Sequence, residues 1–125
     1  MNKYAQVAIN TVNFINKNGG NPMLIWLKEA DYIFGEHKSS AMKGCPRAAF
    51  LGLCEAGLVK GIPCGNYTKS KKNKEYAIEA VEILKENSAD NLTSKELWSR
   101  ITHNEKTHNS QMDIVYELFK RGYIV

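Results

Sequence analysis

Cys45 is the residue best placed for chemistry. It precedes Pro46, and proline favours the first turn of a helix, so Cys45 falls at or beside an N-cap, where the helix dipole favours a thiolate. Lys43 and Arg47 add positive charge on either side, and His37, eight residues upstream, is the candidate base for a nucleophilic or redox-active thiol. The plainer alternative is a cap substitute with its sulfur buried. Cys54 falls on an apolar helix face beside Phe50 and reads as core. Cys45, Cys54 and Cys64 contain no CxxC pair, and His103 and His108 stand without a nearby ligand partner, so neither a metal site nor a cofactor is expected.

A second chemistry is anion binding. The run Ser39-Ser40-Ala41-Met42-Lys43-Gly44 leads into a helix and offers hydroxyls, a lysine and the free amides of a helix start, although the GxxxxGK[ST] order is absent. Further on, Lys60, Tyr67, Lys69, Lys71, Lys72 and Lys74 combine positive charge with one stacking ring. With Ser39, Ser40, Lys43 and Arg47 they form the candidate surface for DNA or RNA backbone, with salt-sensitive binding and little sequence preference. A solubilising loop is the bland alternative. Glu75, Glu79, Glu82 and Glu86 recur at helical spacing, which describes a solvated face or a partner-binding stripe rather than paired catalytic carboxylates.

The whole chain sets the frame for these sites. Its 125 residues, 43% apolar and 24% charged, suit one small globular domain and exclude wholesale disorder. No apolar run approaches the ~20 residues that span a bilayer, and Asn, Gln, Thr and Lys interrupt the N-terminal stretch. Three cysteines cannot all pair within the chain, which points to a reducing, cytoplasmic location. The net charge of +4 conceals an asymmetry: residues 36–74 hold eight Lys/Arg against Glu36 and Glu55, whereas residues 75–125 hold six bases against nine acids. The basic centre is the part that attracts phosphate.

Helical periodicity dominates. Tyr4, Ala8, Val12 and Ile15 share one face of a first helix that stops at Gly19-Gly20. Asn21-Pro22 starts a second, with Leu24, Trp26, Leu27 and Phe34 supplying its apolar surface and Gly35 ending it. Glu36 to Gly44 reads as a polar loop. Pro46 opens a third helix with Ala49, Phe50, Leu53 and Cys54 inward; Gly57 caps it, and Leu58-Val59 and Ile62 look extended. Residues 63–74 form a basic, turn-rich linker or wing. A fourth helix carries Tyr76, Ala80, Ile83 and Leu84 on one face, with Glu82 and Lys85 as an exposed pair. Thr93 and Glu96 form a capping box, with Leu92 and Leu97 as its hydrophobic staple, for a fifth helix that buries Leu97, Trp98 and Ile101. A sixth, from Ser110 as cap residue to Arg121, turns Ile114, Val115, Leu118 and Phe119 inward.

The two halves align. A shift of 72 superposes Tyr4 on Tyr76, Ala5 on Ala77, Ala8 on Ala80 and Trp26 on Trp98; a shift of 65 then pairs Leu53 with Leu118 and Gly57 with Gly122. The expected architecture is all-α: two similar three-helix units, residues 1–62 and 75–125, related by duplication and packed on a shared core. At most short β pieces follow the third helix of each.

Each third helix ends in Gly-apolar-apolar, which is similar to winged helix-turn-helix domains, and residues 63–74 stand where a wing would be. The third helix of the first unit lacks the Arg/Asn/Gln/Lys set that reads base edges. The segment KGCPRAAFLGLCEAGLVKGIPCGNYT (Lys43–Thr68), with SKKNKEYA and HNSQMD, resembles a family of small uncharacterised bacterial proteins. That resemblance implies a bacterial source and no mechanism. The function expected from the residues is a non-catalytic nucleic-acid-binding module, with a protein-interaction adaptor or homodimer as the alternative and a Cys45-dependent enzyme or redox protein behind both.

Overall fold

Local caps and apolar spacing set the first two helices. Helix α1 (Lys3–Asn18) begins where Asn2 Oδ1 accepts from the amides of Tyr4 and Ala5, and it buries Ala5, Ala8, Val12 and Ile15 on one side. Helix α2 (Pro22–Phe34) is capped by Asn21 and has proline in its first turn. Its buried residues Pro22, Trp26, Ala30 and Phe34 recur every four positions. Leu24, expected to face inward, is 65% exposed, because two residues from Trp26 along a helix is nearly the opposite face. The computed structural model describes residues 1–86, 92–103 and 106–125.

The expected loop from Glu36 to Gly44 contains one helical turn, α3 (Lys38–Ala41). The Ala41 amide donates to the His37 carbonyl, and burial of the Ala41 side chain holds the turn down. Helix α4 (Gly44–Glu55) starts two residues before Pro46, which sits in the first turn, where its missing N–H leaves no bond unmade. Every residue from Ala48 to Cys54 is buried, so α4 is the central helix and not a half-exposed one. Phe50 stacks on Trp26 with centroids 5.2 Å apart. Burial raises the Cys54 thiol pKa, as befits a core residue.

Helix α5 (Lys71–Glu86) also starts earlier than the boundary drawn at residue 75, so Lys71, Lys72 and Lys74 are helical and not part of a linker. Lysine is a good helix former, and Ser70 supports the start: its carbonyl accepts from the Lys74 amide and its hydroxyl from Asn73 Nδ2. Residues 62–69 form no strand. Ala77, Ala80, Val81 and Leu84 face the core. Lys85 donates to the Val125 carbonyl at 2.8 Å in place of the expected pair with Glu82.

The approach of α5 to α4 depends on Gly52. A Cβ there would lie 2.6 Å from the Lys74 Cα, which is backbone and cannot swing away. On an exposed helix, Gly→Ala stabilises by ~1 kcal/mol. Here the sign reverses: Gly52→Ala is expected to cost about 1–3 kcal/mol in urea unfolding, and a stabilised variant would contradict this contact.

Helix α6 (Ser94–Thr102) carries the capping box as expected, with both the Thr93 and Glu96 bonds formed, and it buries Leu97, Trp98 and Ile101. Helix α7 (Gln111–Lys120) departs from expectation at its start. Ser110 takes a left-handed conformation (φ 67°) and makes no cap; His108 Nε2 accepts from the Met112 amide instead, at 3.1 Å. Burial lowers the His108 pKa, which Asp113 opposes, and keeps the ring in the neutral form that can accept. Ile114, Val115 and Leu118 are buried with Met112, while Phe119 is only half-buried.

The fold is all-α among the described residues. Helix α1 packs on α2 and α7, and α4 packs on α5 and α7, around one continuous core. Helices α4 and α7 end alike: Leu58 N donates to Leu53 O and Tyr123 N to Leu118 O, with Gly57 and Gly122 at φ 76° and 80°. The β structure is one isolated antiparallel bridge, Val59 to Ile124. Lys60 N donates to Tyr123 O and Val125 N to Leu58 O, both at 2.9 Å. These bonds exchange with one another under the same 65-residue shift.

Candidate functional site

Glu55, the last residue of α4, organises the segment that follows. Its Oε1 accepts from the amides of Tyr67 (2.8 Å) and Thr68 (3.2 Å), and its Oε2 pairs with Lys74 Nζ at 2.7 Å. The hydrogen bond from Lys74, then the two amides, hold this carboxyl down at about 2. Tyr67 is fixed at its other end as well, because its hydroxyl donates to the Pro63 carbonyl at 2.7 Å. Tied to the end of α4 in this way, the chain from 66 to 70 runs opposite the start of that helix.

A cleft of about 740 Å³ lies between them. The start of α4 contributes Lys43, Gly44, Cys45, Arg47 and Ala48; the returning segment contributes Asn66 to Ser70; Met23 of α2 and Asn73 of α5 complete it. Lys43 holds the N-cap position of α4 and gives no side-chain cap, in contrast to Asn2, Asn21 and Thr93 at α1, α2 and α6. The positive end of a 12-residue helix is thus left without a capping group. Among the described residues, Lys43, Arg47 and Lys69 have no carboxylate within ion-pairing distance; Arg47 Nη1 reaches only the Met42 carbonyl, at 3.4 Å.

Four of the expected anion-binding residues therefore meet: Lys43, Arg47, Tyr67 and Lys69, drawn from two parts of the chain. The others do not line this cleft. Ser39 and Ser40 belong to α3, where the Ser40 carbonyl takes the Tyr4 hydroxyl. Lys60 belongs to the bridge, with its carbonyl bound by Asn16 Nδ2. Lys71 and Lys74 line a smaller adjoining hollow of about 340 Å³, with Lys69, Glu55 and Glu75. Lys74 is neutralised by Glu55, and the Lys72 ammonium lies over the Tyr76 ring, 5.9 Å from its centroid.

Cys45 lines the cleft, half-buried, but it is the second residue of α4 and not its cap. His37 precedes α3 and is not among the residues lining the cleft, so the structure does not assemble the thiol–imidazole pair. Sequence reasoning missed Glu55 as the organiser of the segment. One signal existed: it is the lone acid between residues 37 and 74. Met23, Ala48 and Asn73 gave none.

No helix among the described residues is long and apolar enough to cross a membrane. No curated protein and no solved structure matches the chain. A family model does match, over residues 1–125, and the chain belongs to that family, the family of unknown function DUF6979.

Proposed function

We propose that the protein is a non-catalytic nucleic-acid-binding module that holds phosphate backbone at the cleft between α4 and the 66–70 segment. One observation carries this reading: Lys43, Arg47 and Lys69, three cations without carboxylate partners among the described residues, converge there beside a helix start that has no side-chain cap. Cations gathered without counter-charges favour an anionic ligand, and phosphate suits both the helix end and the arginine. Three phosphate contacts give weak, salt-dependent binding: a rise from ~50 to ~200 mM salt weakens it about 20-fold on single strands and about 40-fold on duplex. Fluorescence anisotropy with generic duplex DNA and single-stranded RNA measures this directly. No binding to either probe at the lower salt would sink the reading.

A second reading, a protein adaptor or homodimer, draws on exposed apolar side chains: Leu24 and Tyr32 on α2 and Met42 beyond α3. Sedimentation velocity separates the two, since an adaptor of this kind self-associates or captures a protein and ignores nucleic acid. We further infer a cytoplasmic, bacterial setting, supported by three unpaired cysteines and by the sequence resemblance. Internal duplication is part of the same proposal. It is supported by the matching caps of α4 and α7 and by the bonds that interchange across the Val59–Ile124 bridge.

A further inference from the structure

We propose that the cleft takes one complete nucleotide unit, base as well as phosphate, so that the protein favours single strands over duplex. This rests on the backbone-binding reading above and narrows it. A duplex keeps its bases stacked inside, so a protein that touches only its backbone needs no room for a base. The cleft is instead about 740 Å³, within the ~300–1,000 Å³ range of small-molecule pockets and far larger than a phosphate requires.

Its lining combines two chemistries. Lys43, Arg47 and Lys69 supply the charge. Met23, Ala48 and Tyr67 are the apolar residues of the lining, and Tyr67 carries its one aromatic ring, the type of group on which unstacked bases lie. Tyr67 is already immobilised, by its amide on Glu55 and its hydroxyl on Pro63, so little rotamer freedom remains to be lost when a base stacks on it. Its hydroxyl is engaged, which leaves the ring as the group it offers. Ser70 stands on the same lining, and its hydroxyl, which accepts from Asn73 Nδ2, retains a proton to donate to a base edge. A free nucleotide and a nucleotide within a strand share this chemistry.

The test is anisotropy at ~50 mM salt with labelled decathymidylate and a labelled duplex, on the wild type, Tyr67→Leu and Tyr67→Phe, with circular dichroism to check the helical content of each. The wild type should bind decathymidylate more tightly than duplex. Tyr67→Leu should weaken decathymidylate binding about tenfold and duplex binding by much less, while Tyr67→Phe, which keeps the ring, retains most of the decathymidylate affinity. Competition by AMP assigns the site to free nucleotides; decathymidylate binding that AMP does not displace assigns it to strands.

Equal wild-type affinity for the two probes overturns the inference, as does a Tyr67→Leu variant that holds decathymidylate like the wild type. Duplex binding without decathymidylate binding also overturns it and leaves the backbone reading standing. Binding of neither probe overturns both. Should Tyr67→Leu fail to fold, the comparison of the two probes on the wild type still decides.

Discussion

Replacing Glu55 by alanine is expected to lower the unfolding free energy by about 2–3 kcal/mol, a large loss for a domain of 125 residues. The carboxylate makes three charge-assisted hydrogen bonds, to the amides of Tyr67 and Thr68 and to Lys74, from a side chain that is only 13% exposed. Its removal leaves two amides and an ammonium without their partner. Because the carboxyl is held at about 2 in the folded chain, against ~4.3 when unfolded, its contribution has a definite pH dependence. The contribution is complete above about pH 4.3 and is lost as the pH falls through about 2. Urea unfolding of wild type and Glu55→Ala should therefore differ fully at pH 7 and by progressively less towards pH 2. A gap that is absent at pH 7, or that widens in acid, would contradict the role given to Glu55. The same variant should bind nucleic acid more weakly, because the segment carrying Tyr67 and Lys69 loses its anchor.

The second large effect concerns the cations themselves. Converting Lys43, Arg47 and Lys69 together to alanine should flatten the slope of log K against log salt by about 2 on single strands, the share of three phosphate contacts. At ~50 mM salt the affinity should fall by at least tenfold. All three side chains are on the cleft and none is ion-paired among the described residues, so the fold should survive the change. A triple variant of Lys60, Lys72 and Lys120 has the same charge change and is the control. Those residues lie at the bridge, over Tyr76 and over Tyr116, and the slope should change little. Equal loss in the two variants would mean that overall positive charge, and not the cleft, governs binding.

Much of this fold was legible because it is local. Asn2, Asn21 and Thr93 act on amides two or three residues ahead, and Gly57 and Gly122 end helices from one residue past the C-cap. What was illegible depends on contacts that no capping or turn rule selects, some local and some distant in sequence. Leu24 looks like core until the four-residue spacing of Pro22, Trp26, Ala30 and Phe34 is seen to set the buried stripe. The early start of α5 requires Ser70 to accept from Lys74 and Gly52 to admit the Lys74 backbone. The start of α7 relies on His108, a residue no capping rule would select. The candidate site followed the same division. Residue types pointed to Lys43, Arg47, Tyr67 and Lys69, but their meeting depends on Glu55 reaching 12 and 19 residues along the chain, to Tyr67 and Lys74. The same geometry separates Lys60, Ser39 and His37 from the cleft, which no spacing argument could have done.

The most direct test of the central claim is a two-dimensional ¹H–¹⁵N NMR titration of the wild-type chain with decathymidylate at low salt. The largest amide shift changes should fall at Gly44, Cys45 and Arg47 and at Tyr67 to Ser70. The exposed face of α2 and the Val59–Ile124 bridge should stay unperturbed. Changes concentrated at Lys60 and Lys72, or spread over α2 around Leu24 and Tyr32, would contradict it.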